Sequence, residues 1–459
     1  MLGKSMALLS GNAGAALLLL ARNLLVARLI PVEDYGIAAT FAVTMALVEM
    51  STQFGLQQQI VQDRDGDDPK FQHGVQGFQL LRGAVAGALV FALAAPIAAM
   101  FRIPDVAWAY QVLAILPVLR ALQHFDIHRL NRTLRYGPML WTSGAPALLS
   151  LAAIAPLNLW LGDYRVMLAA LLIYEASAAL TSHLVAERPY RVTLDRQVLR
   201  RSIRFGWPLL LNGALLFLVM QGDKLIVGRE LGMTALAVFG MGVTLTLTPT
   251  LILAKTLQNV FLPTLATAEG NDDHWRTLVR RLLHAALACA VLLTASVLLF
   301  GPPLIDLLLG QKFSDLVPVL MPLALVHAFR VIKAGPTIVA LAAGETARLA
   351  WANLPRVAAL LPAWAWAAHG ASLLELALLA AAAEAASLLV TLAVTRAILR
   401  VSLRDFAGPA LYAMAVLGMC LALGLGWQPG PDWAAGMIIL VLSFGAAWPL
   451  RSTLPRRMR

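Results

Sequence analysis

The chain has 459 residues, 59% of them hydrophobic and 13% charged, with a mean hydropathy of +0.75. A water-soluble protein carries about 25% charged residues, so the composition excludes a soluble enzyme and indicates a helical protein that crosses a membrane many times. The net charge of +11 does not imply a nucleic-acid partner, because basic residues in the loops of such proteins set their orientation.

Apolar segments of spanning length recur along the whole chain, and we predict an all-α polytopic membrane protein with about fourteen transmembrane helices. The spans are predicted near residues 5–29, 36–56, 77–100, 107–124, 139–161, 165–186, 205–229, 234–264, 282–302, 316–341, 350–368, 371–397, 408–427 and 432–450. Prolines inside the spans are expected to interrupt them, at Pro117, Pro146, Pro208, Pro249 and Pro336.

The first and seventh spans resemble each other, which indicates an internal duplication. Leu25-Val26-Ala27-Arg28 recurs about two hundred positions later as Ile226-Val227-Gly228-Arg229. Six spans per copy make the copies parallel repeats that enter the membrane in the same direction. We therefore predict an N-terminal six-helix lobe (1–187), a basic cytoplasmic linker (188–204), a C-terminal six-helix lobe (205–400), and two extra helices with a basic tail (401–459).

Basic residues concentrate in alternate loops, which predicts that both termini are cytoplasmic. The predicted inside loops contain the arginines of 129–135, 188–204, 276–281 and 396–404. The loops on the other side are only a few residues long, whereas a membrane glycosyltransferase or polymerase needs a large outer loop with acidic catalytic residues. We therefore predict that the chain is not an enzyme. Its sequence also shows no catalytic, cofactor or metal motif.

Two ionisable residues, Asp223 and Lys224, lie inside the apolar run of the seventh span. A charge at such a depth costs about 2.5–3.5 kcal/mol on insertion scales and usually has a function. When the two copies are aligned, Arg22 in the first span falls opposite Asp223. Arg22 and Asp223 are predicted either to meet across a central pathway or to be paired within their own lobes.

Cations predominate among the remaining intramembrane charges. Lys255 lies in the eighth span, and Arg330 and Lys333 share one face of the tenth. Lys255 is expected to line a pathway, whereas Lys333 fits either a pathway role or snorkelling to the inner surface. Together with Arg22 and Lys224, these residues predict a positively charged cavity for an anionic cargo, such as a diphosphate.

Acidic side chains are the candidates for gating or for coupling to an ion gradient. Glu49 lies in the second span, and Glu175 and Glu384 occupy matching places in the sixth and twelfth. Structural and proton-linked roles stay open for these three glutamates. Asp223 or Glu49 is the candidate for coupling to H⁺ or Na⁺.

Several segments resemble signatures of one transporter family. Ala27–Gly36 (ARLIPVEDYG) and Asp223–Gly232 (DKLIVGRELG) resemble the segments that follow the first and seventh helices of polysaccharide flippases. Phe54-Gly55-Leu56 is similar to the end of the second helix, and Phe261–Pro263 and Leu309–Phe313 resemble later landmarks. The order and spacing match from about residue 5 to 345. The chain thus resembles the Wzx-type oligosaccharide flippases, of the colanic-acid-exporter kind, within the multidrug/oligosaccharidyl-lipid/polysaccharide (MOP) superfamily.

The resemblance implies a MATE-like pair of rocking lobes in the bacterial inner membrane. Such a protein moves an undecaprenyl-diphosphate-linked oligosaccharide, an exopolysaccharide or O-antigen repeat unit, from the inner to the outer leaflet by alternating access. Its expected partners are this substrate, the membrane lipid, and the polysaccharide polymerase or export machinery, with no cofactor. A lipid II flippase and a cation-coupled drug exporter of the same superfamily are the alternatives. The predicted cationic pathway disfavours the drug exporter.

Overall fold

The computed structural model describes residues 2–268, 270–345, 349–401, 407–424 and 426. The chain forms two compact units, Met1–Ala237 and Val238–Arg459. In the described residues the regular secondary structure is helical throughout, which agrees with the predicted fold class.

The helices of the first unit are α1 (Leu2–Leu29), α2 (Val32–Thr52), α3 (Leu56–Gln62), α4 (Pro69–Ala92), α5 (Ala94–Met100), α6 (Ala107–Leu113), α7 (Ile115–Ala121), α8 (Asp126–Arg132), α9 (Gly137–Ala152), α10 (Ile154–Trp160), α11 (Arg165–Leu184) and α12 (Arg196–Ile226). A short π-helix, Val227–Leu231, extends α12 to Gly232, whose φ is +89°. Helix α9 packs against both α1 and α11, α4 packs against α7, and α2 packs against α12.

The remaining helices are α13 (Met233–Thr267), which begins in the last residues of the first unit, α14 (Asp272–Leu309), α15 (Val317–Ala342), α16 (Leu349–Ala352), α17 (Leu354–Ala358), α18 (Leu360–Ala368), α19 (Leu373–Leu399) and α20 (Ala407–Gly424). Helix α15 is the core helix of the second unit, because it packs against α14, α19 and α20 and most of its residues are buried.

Nine helices in the described part of the chain are long and apolar enough to cross a membrane, or ten if the bent pair Pro104–Ala121 and Asp126–Arg132 is one span. The prediction of a multi-pass helical protein is supported, but the count of fourteen is not confirmed. Predicted span 408–427 corresponds to the shorter apolar helix Gly408–Gly424. Span 432–450 lies outside the described residues.

Four predicted spans are divided into shorter helices, and each break is set by a proline. The breaks at Leu93, Ala114, Ala153 and Ala359 each lie three residues before a proline. Proline has no backbone N–H, so it cannot donate to the carbonyl four residues earlier, which belongs to the last residue of the preceding helix. Of the prolines predicted to interrupt spans, Pro117 acts in this way. The other four lie inside continuous helices, at Pro146, Pro208, Pro249 and Pro336.

The predicted basic linker is bound to the first unit rather than loose. Arg188 donates to Gln72 Oε1 and to the Asp67 carbonyl, at 2.9 Å in each case. Asp195 caps α12 by accepting from Gln197 N at 2.7 Å, so α12 begins well before the predicted start of the seventh span at residue 205. These contacts explain why the linker groups with the helices that precede it.

Glycines allow α12 to approach α2 closely. A Cβ atom built on Gly213 would lie 2.0 Å from the Met50 carbonyl oxygen, and one on Gly206 would lie 2.5 Å from the Phe54 carbonyl oxygen. Small residues permit such backbone contact between membrane helices. The contact-based unit therefore includes the predicted seventh span, whereas the division into two six-helix lobes at 188–204 stays a prediction.

Candidate functional site

The first unit contains a buried ion-pair cluster around Arg120 on α7. Its Nη1 donates to Glu49 Oε2 at 2.6 Å, and its Nε and Nη2 both donate to Glu175 Oε1, the former at 3.0 Å. Gln123 Nε2 also donates to Glu175, at 3.4 Å. The Glu175 side chain is only 4% exposed, whereas that of Glu49 is 51% exposed. One arginine thus links two of the predicted glutamates.

The second unit contains a corresponding cluster around Glu384 on α19. Arg330 Nε and Lys333 Nζ on α15 donate to its two carboxylate oxygens, at 3.1 Å and 2.6 Å. Arg356 on α17 lies 3.7 Å away, and Lys333 also donates to Ser387 Oγ at 2.9 Å. The Glu384 side chain is fully buried. Three of the predicted site residues therefore lie together: Arg330, Lys333 and Glu384.

The two clusters are related by the internal repeat. Arg120 and Glu175 are 55 residues apart, and Arg330 and Glu384 are 54 apart. The matching positions of Glu175 and Glu384, noted from the sequence, thus extend to their cationic partners. Arg120 had been interpreted as a snorkelling residue near a span end, and Arg356 had not been considered. Looking for a cation at matching positions of the fourth and tenth spans would have found Arg120.

Arg22 is buried without a carboxylate partner. It is 7% exposed, donates from Nη1 to Ser150 Oγ at 3.2 Å, and donates from Nη2 to Asn23 Oδ1 at 3.2 Å. Its guanidinium carbon lies 6.0 Å from the centroid of the Tyr174 ring. No Asp or Glu in the described part of the chain forms an ion pair with it. Arg22 differs in this respect from Arg120, whose charge two carboxylates share.

The other predicted site residues are distributed along α12 and α13. Asp223 and Lys224 are half-buried on α12, and Lys255 is exposed on α13. The structure shows no ion pair between Lys255 and any described residue. Arg22 makes its described contacts with residues other than Asp223, and their pairing across a pathway stays a prediction.

Replacing Arg120 by methionine is expected to lower the free energy of unfolding by about 3–5 kcal/mol, because the buried Glu175 carboxylate loses its arginine. The measurement is thermal unfolding of the purified variant in detergent. Arg135→Met is the matched control. Its partner Glu187 and its own side chain are both about half exposed, so a loss below about 1 kcal/mol is expected. Equal losses in the two variants would contradict a buried structural role for Arg120.

Comparison with known proteins places the chain in a family. Residues 25–318, more than half of the chain, match the family described as "Polysaccharide biosynthesis protein". The chain belongs to this family. No curated protein sequence matches it significantly. The predicted resemblance to a polysaccharide-exporter family is thereby confirmed.

Solved structures show where else this fold occurs. The chain is similar to "Lipid II flippase MurJ, inward closed conformation", with a TM-score of 0.72 and 14% identity over 97% of this chain and 98% of that one. It also resembles an inward-facing MATE family transporter of the MOP superfamily, with a TM-score of 0.66 and 15% identity, covering 84% and 94% of the two chains. An outward-facing MATE transporter gives a TM-score of 0.56 at 17% identity, covering 86% and 94%. The protein therefore has the MOP-type transporter fold.

Proposed function

We propose that this protein is a flippase that moves an undecaprenyl-diphosphate-linked oligosaccharide from the inner to the outer leaflet of the bacterial inner membrane. Membership of the polysaccharide biosynthesis family supports a glycan-related cargo. Similarity over nearly the whole chain to a flippase of another lipid-linked glycan supports a lipid-linked one.

The observation that carries the anionic cargo is the environment of Arg22. A buried cation in a membrane helix is costly unless a carboxylate compensates it. Hydroxyl and amide groups hold Arg22 instead, from Ser150 and Asn23. These neutral acceptors leave the guanidinium charge available for a diphosphate, which accepts charge-assisted hydrogen bonds from arginine. A cationic drug would be repelled by the same charge.

Other cations extend the proposed binding set. Lys255 is exposed and forms no ion pair with a described carboxylate, so it suits the first contact with the diphosphate. Arg330 and Lys333 already donate to Glu384, and they would bind substrate by exchanging that carboxylate for a phosphate oxygen. Lys224 completes the set predicted from the sequence.

Glu49 is the best placed of the proposed coupling residues. Its side chain is half exposed and can exchange protons with water, while its carboxylate accepts from Arg120. Protonation of Glu49 would leave Arg120 to the buried Glu175 alone. Glu175 and Glu384 are enclosed by cations and suit structural roles better, and Asp223 stays the candidate for coupling within α12.

In the proposed cycle, the headgroup enters from the cytoplasmic side and reaches Lys255, then Arg22 further out, while the lipid tail remains in the bilayer. Alternating access of the two lobes then exposes the headgroup to the outer side. Both termini are proposed to be cytoplasmic, as the distribution of basic loop residues predicts. Polysaccharide polymerase or export proteins are the proposed partners outside the membrane step.

Lipid II is the second candidate cargo. The structural match to MurJ covers 97% of this chain, against 84% for the inward-facing MATE transporter. Lipid II also carries a diphosphate, so the environment of Arg22 suits both substrates. Family membership favours the polysaccharide precursor.

The test uses purified protein in liposomes that contain a fluorescent undecaprenyl-diphosphate oligosaccharide or, in parallel, fluorescent lipid II. Translocation is followed as accessibility of the headgroup to a membrane-impermeant reagent. Faster exposure of the oligosaccharide lipid than in empty liposomes supports the proposal, and faster exposure of lipid II alone supports the second candidate. Exposure of neither, with folded protein and several glycans tried, would overturn the flippase assignment.

A further inference from the structure

A pocket rich in glutamine lies in the first unit, between the end of α2, α3, α4 and α7. Its volume is about 500 Å³. Among the residues that line it are five glutamines: Gln53, Gln57, Gln58, Gln79 and Gln123. Nothing in the proposed path of the diphosphate uses these amides.

A sharp turn between α2 and α3 forms one wall of the pocket. Gly55 has a φ of +64°, in the left-handed region that favours glycine, and a Cβ there would lie 2.5 Å from Leu209 Cδ1. The turn presents Gln57 and Gln58 from the first turn of α3, both exposed. Leu56 on the same helix is buried in an apolar cluster with Phe78 and others, which anchors the turn. The glutamines are therefore displayed on a fixed backbone.

Gln79 gives independent evidence for a ligand. It is 4% exposed and lines the pocket from α4, yet its side-chain amide forms no hydrogen bond with any described residue. Buried amides are nearly always hydrogen-bonded, because an unmade bond costs about 1–3 kcal/mol. An amide that is buried, without a partner and in contact with a pocket is poised to bond to a molecule within it.

The charges of the pocket are balanced. Arg120 is neutralised by Glu49 at the wall and by Glu175 behind it, so that Arg82 is the one further cation among the lining residues. Arg82 donates to the Thr52 carbonyl at 3.0 Å. Two arginines are thus matched by two glutamates, in contrast to the uncompensated Arg22. Amides both donate and accept hydrogen bonds, as sugar hydroxyl groups do.

We infer that this pocket binds one uncharged sugar ring of the lipid-linked headgroup, with Gln79 as a hydrogen-bonding contact and Gln58 at its rim. The inference rests on the proposed function and adds a glycan subsite to it. The volume suits a single sugar ring, and a half-buried aromatic side chain, Phe54, offers an apolar surface for the ring face. The anion-binding cations and the glycan pocket then read different parts of one headgroup.

The test measures binding of soluble short-chain prenyl diphosphates to the full-length protein in lipid nanodiscs. The probes carry glucose, galactose, N-acetylglucosamine or no sugar. At least one sugar is expected to strengthen binding over the sugar-free probe. Gln79→Met, which keeps the shape of the side chain but removes its amide, is expected to weaken that glycosylated probe about threefold to tenfold and to leave the sugar-free probe unchanged.

Matched variants keep the result interpretable. Gln59 is also buried with both amide atoms unbonded in the described structure, but it does not line the pocket, so Gln59→Met is expected to change neither affinity. Gln58→Leu should reduce the gain from the sugar, whereas Gln62→Leu at the end of the same helix should not. No gain from any sugar, or equal effects of Gln79→Met and Gln59→Met, would overturn the glycan subsite. Failure of wild-type protein to bind the sugar-free diphosphate would instead count against the proposed function.

Discussion

Replacing Arg22 by alanine is expected to slow headgroup translocation by about tenfold to a hundredfold while leaving the protein at least as stable as wild type. The loss follows from one missing charge-assisted contact to the diphosphate, worth about 1.5–3 kcal/mol. Stability should hold because the variant removes a buried cation that no described carboxylate compensates, and only bonds to Ser150 and Asn23 are lost. Translocation is measured in liposomes and stability by thermal unfolding of the same preparations.

The separation of the two measurements is what identifies Arg22 as a substrate contact. Arg22→Lys should keep part of the rate, since it retains the charge but lacks the planar fork that binds two phosphate oxygens. Arg165→Ala, which removes a more exposed arginine paired with Asp163, is the control and should translocate at the wild-type rate. A parallel loss of rate and stability in Arg22→Ala would assign the residue a structural role instead.

Replacing Glu384 by glutamine is expected to cause the largest loss of stability among the predicted site residues, about 3–5 kcal/mol. The change removes the fully buried carboxylate to which Arg330 and Lys333 both donate, and near which Arg356 lies. The free energy of unfolding is measured by chemical denaturation or, where refolding fails, by thermal unfolding. Adding Lys333→Met to Glu384→Gln should restore part of the loss, because one buried cation fewer is left without its partner.

Asp272→Asn is the control for Glu384→Gln, because its ion pair with Arg400 belongs to the same unit but is largely exposed. Its expected effect is below about 1 kcal/mol. Equal stability of wild type and Glu384→Gln would show that the cluster around Glu384 does not hold α15 against α19. The double variant being less stable than Glu384→Gln alone would contradict the electrostatic explanation.

The class of the protein and the course of its longest helices are local properties of the chain. Lipid offers no hydrogen-bond partners to the backbone, so an apolar run of about 20 residues must form a helix that satisfies its own bonds. For this reason the predicted spans 165–186 and 371–397 agree closely with α11 (Arg165–Leu184) and α19 (Leu373–Leu399). Where a span carries a proline, as at Pro117, helix ends could also have been placed from the missing N–H.

Motifs recorded the family, and the repeat recorded one pair of equivalent positions. Glu175 and Glu384 could be matched because the two copies keep the same spacing. Their partners could not be assigned in this way, since Arg120 and Arg330 lie more than 50 residues away along the chain. Which cation meets a carboxylate depends on how two helices are rotated about their axes and packed, and a sequence pattern gives only the face, not the neighbour.

Sequence alone determined that this is a helical membrane protein of a polysaccharide-exporter family with charged residues inside its spans. Tertiary structure decided which of those charges are compensated. Arg330, Lys333 and Glu384 neutralise one another across α15 and α19, whereas Arg22 has only neutral acceptors between α1 and α9. It also showed that Gln79 has no described partner inside a pocket. The physical reason is that hydropathy acts residue by residue along the chain, while charge compensation and hydrogen bonding depend on the contacts that folding brings together.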